Sequence, residues 1–291
     1  PLMEDVGFGF ASGGSVTMEP RRGNPRPWFH RLPNTKSVVV YAGMPNYGLE
    51  KISDYIELNR PKVKSMPTVV SVAVIADKST KDEFGPVVPE EYIIRDVKKA
   101  VSYIVENNLA SVIEINISCP NVNAGFLAFG QDAHHVEELT AQIKRIAKQP
   151  VIMKLTPNVT DITEIAKGAE AGGADAVSLI NTLTGMKIDI NRKTFALANK
   201  TGGVSGPIVK PIAVRMVYQV AQAVNIPIIG MGGISCAEDA IEFILAGASA
   251  VSVGTANFHN PAVTMEVIDG IEAYMKKNGF DSVKDMVGIV K

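Results

Sequence analysis

Short apolar runs alternate along this chain with amphipathic stretches, and no neighbouring runs look like hairpins. That order is the β–α–β–α rhythm of a parallel sheet. Seven runs read as strands: Phe8–Thr17, Thr68–Ala76, Val112–Ser118, Val151–Thr156, Ala176–Asn181, Pro227–Met231 and Ala250–Gly254. Several are continuously apolar, as expected of strands covered on both faces. Helical spacing of apolar residues covers Leu49–Leu58, Glu90–Glu106, Ala133–Lys148, Thr160–Ala171, Lys210–Ala223, Ala237–Ala246 and Pro261–Lys277. Asp161, Glu238 and Asp239 put acid into first turns, where the helix dipole favours it. Gly172, Gly247 and Gly279 follow helices at positions suited to a helix stop.

Two long stretches break the rhythm. Met18–Tyr47 is rich in Pro, Arg and Asn, and Thr182–Gly206 holds the alternating Lys187–Ile190 and a Gly202-Gly203 turn. Loops of this length inside a compact domain are usually functional. Both follow strands, which in a barrel places them on the C-terminal face, where active sites sit.

Length and rhythm together predict an α/β fold of the (β/α)₈ TIM type, with residues 1–291 forming a single barrel domain. A closed barrel of this kind needs eight strands. The count of seven gives the reading that the first strand is absent, the sequence starting after it; an eighth, unrecognised strand is the other reading.

Composition narrows the function. The hydrophobic fraction is 46%, the charged fraction 20% and the formal net charge −1, so no basic surface for nucleic acid is indicated. No apolar run is long enough for a transmembrane helix, and no signal peptide is visible. The two cysteines, Cys119 and Cys236, make neither a disulfide scaffold nor a metal-ligand spacing, and a reducing cytoplasm is the expected compartment. The four histidines, His30, His134, His135 and His259, show no ligand or triad spacing and read as surface or loop residues.

Chemistry concentrates at strand ends. The run Glu114-Ile115-Asn116-Ile117-Ser118-Cys119-Pro120-Asn121 ends a buried strand in a cysteine between two side-chain amides. Two readings fit: a packed thiol with asparagines closing a turn, or a thiol acting as acid or base beside amides that hold a polar ligand. Glycine turns at Gly230–Gly233 and at Gly254-Thr255 follow consecutive strands. Glycine lets backbone N–H groups approach a phosphate, and the last two strands are the usual phosphate site of barrels; plain turn chemistry is the alternative. Lys154 lies inside an apolar strand and either faces a ligand in the barrel or snorkels to solvent. Asn181-Thr182 is a further polar pair at a strand's C-terminal end. Cys236 opens a helix and reads as inert, although a helix N-terminus can lower a thiol pKa.

Across nearly its whole length the chain resembles the dihydroorotate dehydrogenases. Asn116–Asn121 is similar to the catalytic segment of the class 1 enzymes, whose base is a cysteine. Lys154–Ile162, Ile180–Gly185, Thr201–Lys210 and Ile226–Gly233 resemble class 1B most closely, whereas Gly14–Pro33 reads more like class 2. The resemblance implies FMN as cofactor, contacted by Asn116, Lys154, Ile180, Gly206, Gly232, Gly233, Gly254 and Thr255. It implies a small substrate, dihydroorotate (product orotate), held by Asn46, Asn116, Asn121, Asn181 and Thr182, with Cys119 as the base. It further implies a homo-oligomer and, as in class 1B, an electron-transfer subunit carrying FAD and an iron–sulfur cluster; fumarate and quinones are the acceptors of other classes. Three positions depart from the family. Val40 stands where an asparagine precedes the substrate loop, Gly14 where class 1 has a flavin-side lysine, and Ser71 where an asparagine meets the flavin. These departures leave open another dihydropyrimidine or related ring as substrate. The residues alone also leave open a phosphate-binding barrel with isomerase or lyase chemistry, and a catalytically idle barrel.

Overall fold

A computed structural model describes residues 2–85, 87–117 and 129–290. Its strands are β1 (Ala11–Ser12), β2 (Phe29–Leu32), β3 (Ser37–Val40), β4 (Thr68–Ala73), β5 (Val112–Asn116), β6 (Val151–Lys154) and β7 (Ala176–Leu179), followed by β8 (Leu183–Gly185), β9 (Ile188–Asp189), β10 (Thr194–Phe195), β11 (Gly202–Ser205), β12 (Ile228–Met231) and β13 (Ala250–Ser252). Helices α1 (Leu2–Asp5), α2 (Leu49–Asn59), α3 (Lys78–Phe84), α4 (Glu90–Glu106), α5 (Ala133–Lys144), α6 (Ile162–Ala171), α7 (Lys210–Ala221), α8 (Ala237–Ala246) and α9 (Val263–Asn278) alternate with them.

The principal sheet has 7 strands in the order β1-β4-β5-β6-β7-β12-β13, every neighbouring pair parallel. With helices following its strands, this is the curled sheet of a TIM-type (β/α)₈ barrel, and seven strands is the number the hydrophobic pattern predicts. Among the described residues β13 and β1 share no ladder, and an apolar groove lined by Phe8, Phe10, Val251, Val253, Val267 and Ile268 lies between them.

The strands bury one parity of residue under the helices. Val72, Ile113, Ile115, Val151, Met153, Val177 and Leu179 are each no more than 0% exposed and belong to one apolar cluster. Their partners across that layer are the apolar stripes of the helices, such as Val97, Val101 and Ile104 of α4 and Leu139 and Ile143 of α5. The opposite parity faces the barrel interior, because successive side chains of a strand alternate faces. Helix boundaries follow local signals: Asp161 caps α6 by accepting from the Thr163 amide, and Gly279, at φ 71°, ends α9 in the left-handed region. At the end of α6 the residue with positive φ is Gly173 rather than Gly172, which keeps helical backbone angles.

Hairpin-like pairs do exist, contrary to the sequence reading. The two long stretches contribute antiparallel strands to a second sheet, ordered β2-β3-β11-β8, and β9 pairs with β10. These strands are two to four residues long, too short for alternation to stand out among Pro, Arg and Gly. The sheet spans from the loop after β1 to the loop after β7 and so ties the two together on the C-terminal side of the barrel.

Carboxylates lash the first of these loops to the end of β4. Asp77 accepts from the Glu19 amide at 3.2 Å, and its own amide donates to Asp96 at 2.9 Å; Arg95 pairs with Asp96 at 3.2 Å. Asp77 is buried, and that burial, reinforced by the charges of Asp96 and Glu19, pushes its carboxyl up to about 6. A carboxyl raised in the folded state stabilises fully below its unfolded pKa of about 3.9, and that contribution is lost as pH rises through the folded value. Asp77→Asn should therefore melt progressively higher than the parent protein as pH rises from 4 to 7. Parallel pH dependences of the two melting temperatures would contradict this assignment.

Candidate active site

The interior parity of the strands is where polar side chains collect. Glu114 and Asn116 of β5, Lys154 of β6 and Ser178 of β7 stand two residues apart or in register, with Asn116 opposite Lys154 and Lys154 opposite Ser178. Ser178 donates to Glu114 Oε2 at 3.0 Å, and Lys154 Nζ lies 3.9 Å from Glu114 Oε1. A second chain of contacts runs beside it. Asn116 Nδ2 donates to Ser15 Oγ at 2.8 Å, the Ser15 and Ser71 hydroxyls lie 2.9 Å apart, and Asn181 Nδ2 approaches Asn116 Oδ1 at 3.4 Å. The short side chain at Ser71 thus reaches the amide of Asn116 through Ser15.

Above this floor lies a cavity of about 310 Å³, within the range of small-molecule and cofactor sites. Its wall brings together Lys154, Ile180, Gly206, Gly232, Gly233, Gly254 and Thr255. Asn181 and Thr182 face the same cavity, and Asn116 is buried just behind Asn181. Asn46 is placed differently. Its side chain ties the loop after β3 to the segment after β1, donating to Thr17 Oγ1 and the Met44 carbonyl at 3.1 Å each and accepting from the Gly48 amide at 2.9 Å. Cys119 and Asn121 lie outside the described residues.

The glycine turn after β12 can be built only from glycine. Gly232 and Gly233 have φ of 124° and 88°; a Cβ on Gly233 would sit 2.9 Å from the Gly206 carbonyl oxygen and 3.0 Å from the Lys210 amide nitrogen. Neither amide is taken by a backbone bond of a turn, loop or cap among the described residues. At Gly254 a Cβ would meet nothing within 4 Å, so the backbone there borders open space. Thr255 is tied to β11 by its hydroxyl, 2.9 Å from that of Ser205. Lys210 does not contribute free charge to the turn: Asp239, at 2.8 Å, and Glu242 hold its ammonium and raise its pKa. Cys236 occupies the N-cap position of α8 without a side-chain cap bond, and burial raises its thiol pKa, the opposite of what an activated thiol requires.

Sequence reasoning passed over Ser15, Ser205 and Glu114. The hydroxyls carried no signal, being common loop residues. Glu114 did carry one: a carboxylate two positions before Asn116 in an apolar strand shares its face.

The family model described as dihydroorotate dehydrogenase matches residues 2–275, a span that includes every residue named at this cavity. The chain is 54% identical over 277 residues to the dihydroorotate dehydrogenase B (NAD(+)) catalytic subunit of Lachnoclostridium phytofermentans, covering 95% of this chain and 85% of that protein. The like-named subunit of Alkaliphilus metalliredigens is 49% identical over 276 residues, 94% of this chain and 83% of its own length. That of Caldicellulosiruptor bescii is 43% identical over 292 residues, 99% and 89%. With the barrel and its cavity in place beneath these matches, the chain belongs to the dihydroorotate dehydrogenase family of oxidoreductases.

Proposed function

We propose that this chain oxidises dihydroorotate to orotate, a step of pyrimidine biosynthesis, with FMN as its resident cofactor. The observation that carries the reading is the convergence on one cavity of two glycine strand ends, an inward lysine and the Asn181-Thr182 pair. The residues fit the cofactor. Gly232 and Gly233 line the cavity with main chain rather than side chain, in positive-φ conformations that glycine adopts readily, which suits a phosphate. Gly254 borders open space and Thr255 offers a hydroxyl beside it. Lys154 brings a cation to a cavity that Glu114 also borders and that Val69, Ile152, Ile229 and Met231 line with apolar surface. When bound, FMN supplies a two-electron acceptor.

The chain's own residues divide the remaining work. Asn116, Asn121 and Asn181 offer both donors and acceptors, matching the imide and carboxylate of a dihydropyrimidine acid. Asn116 is held by Ser15 and Asn181, so its amide is oriented before substrate arrives. Cys119 removes the proton from the ring carbon beside the carbonyl while the neighbouring carbon gives up its hydride. Asn46 supports the site indirectly, fixing the loop that follows β3. The relatives' printed name, a catalytic subunit with NAD(+), supports a separate partner subunit here too; the resemblance to class 1B makes that partner an electron-transfer subunit with FAD and an iron–sulfur cluster.

Two outcomes are expected. Cys119→Ala should retain FMN yet slow flavin reduction by dihydroorotate roughly 10²–10⁴-fold in rapid mixing, the usual contribution of a positioned base. An ordinary thiol titrates near ~8.5, so reduction by the parent protein should rise toward mildly alkaline pH, and Cys119→Ser should move that rise upward. A loss smaller than about tenfold in Cys119→Ala would reduce the thiol to a packing role. Gly233→Leu, whose Cβ would displace the turn from the Gly206 carbonyl and the Lys210 amide, should bind less than a tenth of the parent's FMN, read as flavin per chain after desalting. Full flavin stoichiometry in that variant would remove the phosphate from this turn.

A further inference from the structure

The interior carboxylate Glu114 has no part in the reading above, and its surroundings are unusual. It is 4% exposed. Ser178 holds Oε2, but Oε1 is buried without a hydrogen bond. The group nearest to satisfying Oε1 is the Lys154 ammonium at 3.9 Å, a distance that permits ionic attraction but is too long for a hydrogen bond. Among the described residues each is the other's only ion-pair partner. Both side chains also border the cavity proposed for the flavin.

We infer that Glu114 is the counter-ion of Lys154, a positioning residue that neutralises the cavity and, resting on the FMN reading, sets the flavin's reduction potential. The physics is one of charge. Two-electron reduction takes FMN and one proton to the anionic hydroquinone, so the bound flavin gains a negative charge. A lone ammonium beside it would favour the reduced form strongly, because opposite charges attract more in a partly desolvated cavity than in water. Glu114 opposes that bias. The Ser178 hydroxyl fixes one carboxylate oxygen and leaves the other towards Lys154, so the ammonium is held at one place on the wall. A fully hydrogen-bonded Glu114 would be a closed structural unit; the open oxygen is what couples it to the lysine.

Two measurements on the full chain test this. Redox titration of the FMN-loaded protein should show the potential raised in Glu114→Gln and lowered in Lys154→Met. The expected rise corresponds to about tenfold tighter relative binding of reduced over oxidised flavin, about 30 mV for a two-electron couple. An unchanged potential in Glu114→Gln would overturn the proposal, since a packing role tolerates the isosteric amide. Thermal melts of the flavin-stripped proteins make the second arm. Lys154→Met should lower the melting temperature by leaving a buried carboxylate uncompensated, and adding Glu114→Gln should restore most of the loss. Additive losses would overturn the ion pair. If the parent protein takes up no FMN, the cofactor reading and the redox half fail together. The melts still decide whether Glu114 and Lys154 are coupled.

Discussion

A parallel strand hands successive side chains to opposite faces, and in this chain that two-residue alternation separates the fold from its chemistry. One parity, from Val72 through Ile113, Ile115, Met153, Val177 and Leu179, is wholly apolar and sealed under helices. The other carries Ser71, Glu114, Asn116, Lys154 and Ser178 into the barrel. A slip of one residue in any strand would exchange the two sets, burying a charge under a helix and turning an isoleucine into the cavity. Six parallel ladders in fixed register make that slip prohibitively costly, so the polar groups are positioned by the same packing that stabilises the barrel.

The cavity built on that floor is closed by parts of different origin. Its far wall is backbone, from glycines whose φ angles or contacts leave no room for a side chain. Its cover is the small antiparallel sheet, in which β3 from one long loop pairs with β11 from the other. Ser205 on β11 meets Thr255 at the glycine end of β13, so the cover and the glycine wall are joined by one hydroxyl pair. The anchoring of the first loop through Asp77, Asp96 and Glu19 places the cover without touching the cavity.

How much of this could be read from sequence depended on the length of the signal. Helix α4 was legible to the residue, Glu90–Glu106, because seventeen positions carry one clear stripe. The parallel strands were legible in number and order, yet too long at their ends: Val74, Ile75 and Ala76 are as apolar as β4 but leave its ladder. The first strand shrank most, from Phe8–Thr17 to Ala11–Ser12 with a single bridge between Val16 and Val72, since Gly13 and Gly14 interrupt it. Helix α3 escaped because Lys78–Phe84 is nearly all polar, and the antiparallel pairs escaped because each is so short. At the site, the glycine turns and Lys154 announced themselves by chemistry out of place in apolar strands. Asn46 was identified by motif, but its motif does not encode that its amide is used by Thr17, Met44 and Gly48. Ser15 was invisible because its partners, Ser71 and Asn116, are 56 and 101 residues away.

The cavity at the C-terminal ends of β6, β7, β12 and β13 is proposed to hold a flavin that dihydroorotate can reduce. The most direct measurement is the visible absorption spectrum of the purified protein, before and after anaerobic addition of dihydroorotate. The account predicts a flavin spectrum at about one FMN per chain, bleached by the substrate. A chain that stays colourless after incubation with FMN, or a bound flavin that dihydroorotate leaves oxidised, would contradict it.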